Sequence, residues 1–387
     1  APRRLMSHLE NASVAIIGGG IGGLAAALAF SHFGAVVTVY EQADALTEAG
    51  AGIQITPNGG RVLAALGLSG QLDAFSLRAQ AVQPRDGLTG RVIARFDLGA
   101  QMPPYRFFHR AALIDMLADG CRQAGVTVHL GARVAQVTRD GAVVTQNGSE
   151  RHDLVVGADG LHSVARGVLN PQGAPFFTGQ VAWRGTINAP DMPPEANIWM
   201  APGKHVVTYP LKDGLLNVVA VQERTDWAAE GWHHADTPDN LQAAFADTCA
   251  DLQKLIAQVQ SPKLWGLFRH PVADCWHRDR LTILGDAAHP TLPFLAQGAN
   301  LALEDAWTLA AACADAPLTQ ALPIYQSKRA PRVTRAINTA NANAKNYHLD
   351  GLPRRIAHAG LRTLGTLAPD AFLKRLSWLY DHDVTAS

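Results

Sequence analysis

An excess charge of either sign is missing from this chain. Its 387 residues carry 33 Lys plus Arg against 33 Asp plus Glu. That balance gives no broad field to draw nucleic acid or an anionic membrane surface. Cysteine is scarce too. Cys121, Cys249, Cys275 and Cys313 stand apart with no paired spacing, which excludes a disulfide framework or zinc site and fits a reducing cytoplasm. No apolar run is long enough to span a bilayer. Internal repeats and low-complexity tracts are absent. His233, His234, His270 and His277 lack ligand spacing, so no metal centre is expected. Apolar material is what the chain has, at 48% hydrophobic against 17% charged. At this length that builds two domains, or one domain with a large insertion.

One stretch organises the rest. Gly285-Asp286-Ala287-Ala288-His289-Pro290 runs on through Pro293 and Gln297-Gly298-Ala299-Asn300 to Glu304-Asp305. Residues 280–284 before it read as a buried strand. After it, Leu301, Leu303, Trp307, Leu309 and Ala310 recur at helical spacing, which predicts a helix from about Gly298. A carboxylate thus ends a strand, and a proline-stiffened loop leads to a helix start. Free N–H groups there are partly positive and suit an anion or an electron-rich carbonyl.

Near the N-terminus, residues 12–17 read as a buried parallel strand that runs into Gly18-Gly19-Gly20-Ile21-Gly22-Gly23. A buried helix over 24–33 and a strand over 35–40 follow, and Glu41 ends the strand. This is the full dinucleotide pattern of strand, G-x-G-x-x-G, helix, strand and acid. Gly18 serves the tight turn, Gly20 the approach of a pyrophosphate, and Gly23 the packing of helix on strand. Glu41 is an acceptor for a ribose diol.

Gly50-Ala51-Gly52 opens a Gly-rich loop or short strand, and a short helix is predicted over 61–66. Arg110 opens a helix over 111–124. Strands are predicted at 126–130, 133–138 and 142–146, the last two joined as a hairpin at Asp140-Gly141. A further strand at 154–156 leads to Gly157-Ala158-Asp159-Gly160, with Ser163 and Arg166 beyond. From about 175 to 278 the texture changes to strand-like runs at 180–187, 197–200, 205–209 and 215–222. Trp183, Trp199, Trp227, Trp232, Trp265 and Trp276 cluster here. This segment predicts an antiparallel sheet under one covering helix, 238–259.

The expected fold is therefore α/β. A Rossmann-like nucleotide domain is discontinuous over 1–77, 106–174 and 279–345. A mostly antiparallel sheet domain, 78–105 and 175–278, is inserted, and a helical tail covers 346–387.

Together these stretches resemble the single-component flavoprotein aromatic hydroxylases, the p-hydroxybenzoate hydroxylase-like family. Within it the chain looks closest to enzymes acting on salicylate, 3-hydroxybenzoate or 6-hydroxynicotinate. The matching pieces are Gly18 to Gly23 with Glu41, then Arg110, then Gly157-Ala158-Asp159-Gly160 with Arg166, then the Gly285 to Asn300 stretch. Trp183-Arg184-Gly185 and the segment from His205 to Tyr209-Pro210 also resemble the aromatic-acid branch.

The resemblance implies one FAD, with NADH or NADPH as co-substrate and no separate domain for it. A small aromatic substrate and dioxygen are the implied partners, in a monomer or homodimer. Glu41, with Gln42 beside it, is implied at the adenosine ribose. Gly18, Gly20, Ile21, Gly22 and Gly23 belong to the pyrophosphate loop. Ala51, Gly52, Val134 and Pro293 complete the implied cofactor wall. Arg110 and Asp286 fall at the ribitol and phosphate region, and Asp159 with Arg166 at the cofactor phosphate or the nicotinamide. The N–H groups of Gly298, Ala299 and Asn300 face the flavin pyrimidine, where reduced flavin gains negative charge.

In such enzymes a flavin C4a-hydroperoxide delivers oxygen to a phenol activated as phenolate, which calls for a base. His205 and Tyr209 lie four apart on a strand and so share a face. If that face looks at the flavin, His205 is the expected base and Tyr209 a hydrogen-bond partner. Gln297 is expected to hydrogen-bond the substrate or the base. No single arginine is marked out for a substrate carboxylate. The alternative is a reductase or oxidase of the same fold that inserts no oxygen.

Overall fold

The computed structural model describes residues 7–46, 51–173, 175–226 and 234–386. Gly50, Trp227, Trp232 and His233 lie outside the described residues.

Ser13–Ile17 sits in the middle of a six-stranded sheet because it is apolar on both faces; Val14, Ala15 and Ile16 are all fully buried. It pairs in parallel with Val36–Tyr40 on one side and Leu154–Gly157 on the other. Leu281–Ile283 and Thr127–His129 extend the sheet, also in parallel, and His277–Arg278 adds an antiparallel edge. Ile21–His32 is rich in alanine, so it packs tightly against this sheet and the helix Gly298–Asp315. All the parallel strands end on one side. There the Gly loop, Glu41, Asp159 and Asp286 emerge, at the crevice where sheets of this kind bind ligands.

The second layer is an eight-stranded sheet. Its order is His234–Ala235, Lys263–Arg269, Phe176–Asn188, Leu215–Glu223, Lys204–Pro210, Glu195–Ala201, Ala81–Asp86 and Phe96–Asp97. All its pairs are antiparallel except Glu195–Ala201 with Ala81–Asp86. One face buries Trp183, Trp199, Val206 and Val218 against Leu241, Phe245 and Ile256. The single covering helix expected over 238–259 is two, Pro238–Ala244 and Ala250–Ile256. Between them the backbone turns aside so that the Cys249 N–H donates to the Gly87 carbonyl at 2.8 Å. The helix expected at 61–66 starts earlier, at Pro57, whose fixed φ suits a first helical position and whose helix carries Asn58.

Gly52–Ile55, Arg106–His109 and Ser76–Arg78 form a small sheet between the layers. Val134–Val137, Ala142–Thr145 and Gly148–Arg151 form another, built on the expected hairpin. The chain closes with the helices Leu318–Tyr347, Gly351–Leu367 and Ala371–Tyr380. Among the described residues no helix is long and apolar enough to cross a membrane. Nor does any group of three or more His, Cys, Asp or Glu among them suit a metal.

Candidate active site

Gly18 has φ +108°, and a Cβ there would run into the Ala158 carbonyl. A Cβ on Gly23 would collide with the carbonyl oxygen of Gly18. These two glycines are required by the protein's own packing. Gly20 differs, since a Cβ there meets nothing within 4 Å. Gly20 caps the helix Ile21–His32, which has no side-chain cap and no acid in its first turn. Open space in front of uncapped N–H donors is what a pyrophosphate needs. Glu41 braces this loop, accepting from the Gly19 N–H at 2.6 Å and the Ala43 N–H at 2.8 Å.

The Asp286 carboxyl faces open space at the far side of the same crevice. Its deep setting raises its pKa, with His289, Arg110 and His270 pulling the other way. Beneath it lies a buried ionic network. Asp305 accepts from the Gly285 N–H at 3.0 Å, from Arg329 Nε at 2.6 Å and from His289. Burial alone would raise the Asp305 pKa, but His289 and Arg329 outweigh it and lower it. Glu304 accepts from Arg332 Nε at 2.7 Å and from Asn58 Nδ2 at 3.1 Å. Arg166 donates to the carbonyls of Ala287, Ala288 and Pro271 at 3.1, 3.2 and 2.6 Å. Its guanidinium therefore holds this loop, where the sequence suggested a cofactor contact.

The helix Gly298–Asp315 also starts without a side-chain cap. Gln297 is 3% exposed and committed to its neighbours: its Nε2 donates to Thr56 Oγ1 at 3.0 Å, and its Oε1 accepts from Asn58 Nδ2 at 3.1 Å. Asn300 accepts from the Thr56 N–H at 3.0 Å and donates to the Gln54 and Ala296 carbonyls. Both amides serve as clamps that fix the helix start. They bond neither His205 nor Tyr209.

A cavity of about 430 Å³ joins these parts. Gly20, Ile21, Gly22, Gly52, Arg110, Asp286, Pro293, Gly298 and Ala299 line it, as do His205, Tyr209 and Gln297. Gly18, Gly23, Glu41, Gln42, Ala51, Val134, Asp159 and Asn300 are not on its lining. Asp159 instead accepts from Ser163 Oγ and from the Val164 N–H, at the start of Val164–Leu169.

A family model described as an FAD binding domain matches residues 11–340. The chain belongs to that family of flavoprotein hydroxylases. It is 36% identical to a 3-amino-4-hydroxybenzoate 2-monooxygenase of Streptomyces platensis, over 95% of this chain and 97% of that one. It is 31% identical to a 3-hydroxybenzoate 6-hydroxylase of Polaromonas naphthalenivorans (strain CJ2), over 96% of each. Klebsiella pneumoniae HpxO, solved with FAD and uric acid, superposes with a TM-score of 0.81 at 26% identity. That match covers 94% of this chain and 97% of HpxO.

The residues fit the FAD of the family. Gly20 leaves room where a pyrophosphate would lie, and two uncapped helix starts and one carboxylate face a single cavity. In this flavoprotein the opposite wall is the eight-stranded sheet. Arg184, Val207 and Val219 form one cross-strand row, and Ala182, Val221 and His205 the next. His205 is 2% exposed, with Phe294 and Tyr347 rings 5.8 and 5.2 Å away. Burial, then the neighbouring His348, lowers its pKa well below the ordinary histidine value. Tyr209 stacks on Phe107 at 5.1 Å. Burial raises its pKa, while Arg184 and Arg110 pull it down.

Arg184 stands within Trp183-Arg184-Gly185, a stretch that by itself assigns it no role. It lines the cavity with its guanidinium 5.2 Å from the Trp265 ring centre. Asn58, Arg329, Arg332 and His348 belong to no motif that would assign them a role from sequence.

Proposed function

We propose that this hydroxylase consumes NADH or NADPH and dioxygen to hydroxylate a phenolic aromatic acid. The observation that carries this reading is the sheet wall. His205, whose pKa burial lowers, stands there with Tyr209 and Arg184 among valines, on the lining of the cavity that the nucleotide-side helix starts share. FAD, when bound, supplies the reduced ring that activates dioxygen. Gly18, Gly20, Ile21, Gly22 and Gly23 would hold its pyrophosphate. Glu41 and Gln42 would meet its adenosine, and Asp286 and Arg110 its ribitol.

The chain's own residues do the rest. Gly298 and Ala299 present N–H groups where negative charge develops. His205 takes the phenol proton, since a neutral imidazole is a competent base at neutral pH. Tyr209 hydrogen-bonds beside it. Arg184 pairs with the substrate carboxylate, a charge carried by both benzoates in the relatives' names. The apolar rows of the sheet keep water from the reacting ring.

A panel of 3-amino-4-hydroxybenzoate, 3-hydroxybenzoate, salicylate, hydroxypyridine acids and urate tests the reading. It is scored by stimulated NAD(P)H oxidation and by hydroxylated product. An acid should stimulate turnover far above its carboxamide. Stimulation by the carboxamide alone would remove Arg184 from its role. Oxidation with no product from any compound favours the reductase or oxidase alternative.

A further inference from the structure

His205 does not stand alone. Its Nδ1 lies 2.6 Å from Nε2 of His348, which is 143 residues away in sequence and follows the helix Leu318–Tyr347. Nδ1 of His348 lies 3.0 Å from Oε1 of Glu223. The His348 side chain is 2% exposed and that of Glu223 is 55% exposed. The three groups therefore run from the cavity to solvent. Backbone bonds hold the far end in register: the Gly203 N–H donates to the His348 carbonyl at 3.0 Å, and the Glu223 N–H to the Gly203 carbonyl at 2.8 Å.

We propose that His205, His348 and Glu223 form the path by which the substrate's phenol proton leaves the cavity. The proposal rests on the reading of His205 as the base. The hydrogen-bond roles follow in one direction. An ionised carboxylate only accepts, so His348 Nδ1 carries its proton toward Glu223. A neutral His348 then has its lone pair on Nε2. His205 must donate to that lone pair from Nδ1, which leaves its own lone pair on Nε2 for the cavity's occupant. When the phenol O–H bond breaks, its proton joins His205 Nε2. The Nδ1 proton of His205 passes to His348 Nε2, and the Nδ1 proton of His348 passes to Glu223 and then to water. One proton enters, one leaves, and phenolate remains. Without this exit, the proton would stay as a buried imidazolium in apolar surroundings, at a steep cost.

A purely orienting triad has the same geometry, and Glu223→Gln separates the two. A glutamine Oε1 still accepts from His348 and keeps the rings in place, but it takes no proton. The FAD-loaded full chain, without NAD(P)H, is mixed with 3-hydroxybenzoate or 3-amino-4-hydroxybenzoate in weak buffer containing a pH indicator. Wild type should release about one proton per site together with phenolate absorbance. Glu223→Gln should slow that release at least tenfold with the dissociation constant unchanged, and added acetate should restore it. Wild-type release rates in both Glu223→Gln and His348→Gln would overturn the proposal. Ring-nitrogen NMR of the same holoenzyme needs no bound probe. The path requires both histidines to be neutral with the proton on Nδ1, and a proton on Nε2 of either overturns it. If neither probe binds, the failure lies with the substrate reading, and the release measurement is made with the acid of the panel that does bind, on the same expected and overturning results.

Discussion

On the nucleotide side of the cavity, backbone does the presenting: Gly20, Gly298 and Ala299 offer N–H groups at helix starts. On the sheet side, side chains do it: Arg184, His205 and Tyr209 project between valines. Backbone cannot be aimed by a rotamer, so the first wall needs scaffolding beneath it. Asn58, Gln297, Glu304, Asp305, Arg329 and Arg332 supply that, every one of them committed to a protein partner. The second wall needs only strand alternation and a packed rear face. Substitutions under the first wall should therefore cost folding, and substitutions on the second should cost chemistry.

The two glycines of one loop give the sharpest form of this comparison. Gly23→Ala pushes a Cβ into a backbone carbonyl that cannot swing aside. The expected loss is upward of about 4 kcal/mol, seen as an insoluble or early-melting apoprotein. Gly20→Ala meets open space. It should cost the apoprotein no more than about 1 kcal/mol while weakening FAD retention in a titration. Equal melting losses in both would break the comparison.

Arg329→Met comes next. It leaves the buried carboxylate of Asp305 without its guanidinium. Removing one partner of such a pair costs about 3–5 kcal/mol, measurable by urea unfolding. A variant as stable as wild type would mean that the network is ornamental.

His205→Gln should retain FAD and fold normally while product formation falls roughly a hundredfold to ten-thousandfold. The loss should shrink as pH rises toward the phenol's own pKa, because the substrate then ionises unaided. Tyr209→Phe should lose less, about 1 kcal/mol for one hydrogen bond. Superimposable pH–rate profiles for wild type and His205→Gln would make His205 structural.

Asp286→Asn is the smallest expected change in stability and runs against the others. Although the Asp286 carboxyl is open to the cavity, the protein packed around it strips away part of its solvation and raises its pKa above the unfolded value. Its ionised form is thus disfavoured in the fold, a burden that grows as pH rises past the unfolded value of about 3.9. The apoprotein of Asp286→Asn should melt slightly higher at neutral pH, and the gain should vanish in acid. FAD retention should fall. A variant that binds FAD as tightly as wild type would take Asp286 out of the site.

The nucleotide side was legible because its demands fall on backbone. A residue at φ +108° or against a carbonyl must be glycine, so Gly18 and Gly23 leave a fixed spacing. The strand-end acids Glu41, Asp159 and Asp286 were visible for a similar reason, since the sheet's period places them. The scaffolding was not legible, because a buried Arg329 looks like any helical arginine until Asp305 is seen beneath it. The sheet wall was half legible. Alternation put His205 and Tyr209 on one face, and both do line the cavity. It could not say that Arg184 sits across from Val219, which depends on strand register. His348 was out of reach altogether, because only tertiary packing brings the end of the long helix to His205. The break in the covering helix was missed for the same kind of reason, a hydrogen bond to Gly87 from far along the chain.

The most direct test of oxygen insertion into an aromatic acid is turnover under ¹⁸O₂ with the best substrate of the panel, followed by mass spectrometry of the product. One labelled oxygen per product, with one NAD(P)H consumed for each, is the predicted result. Product without label, or NAD(P)H and oxygen consumed to hydrogen peroxide alone with every acid tried, would contradict it.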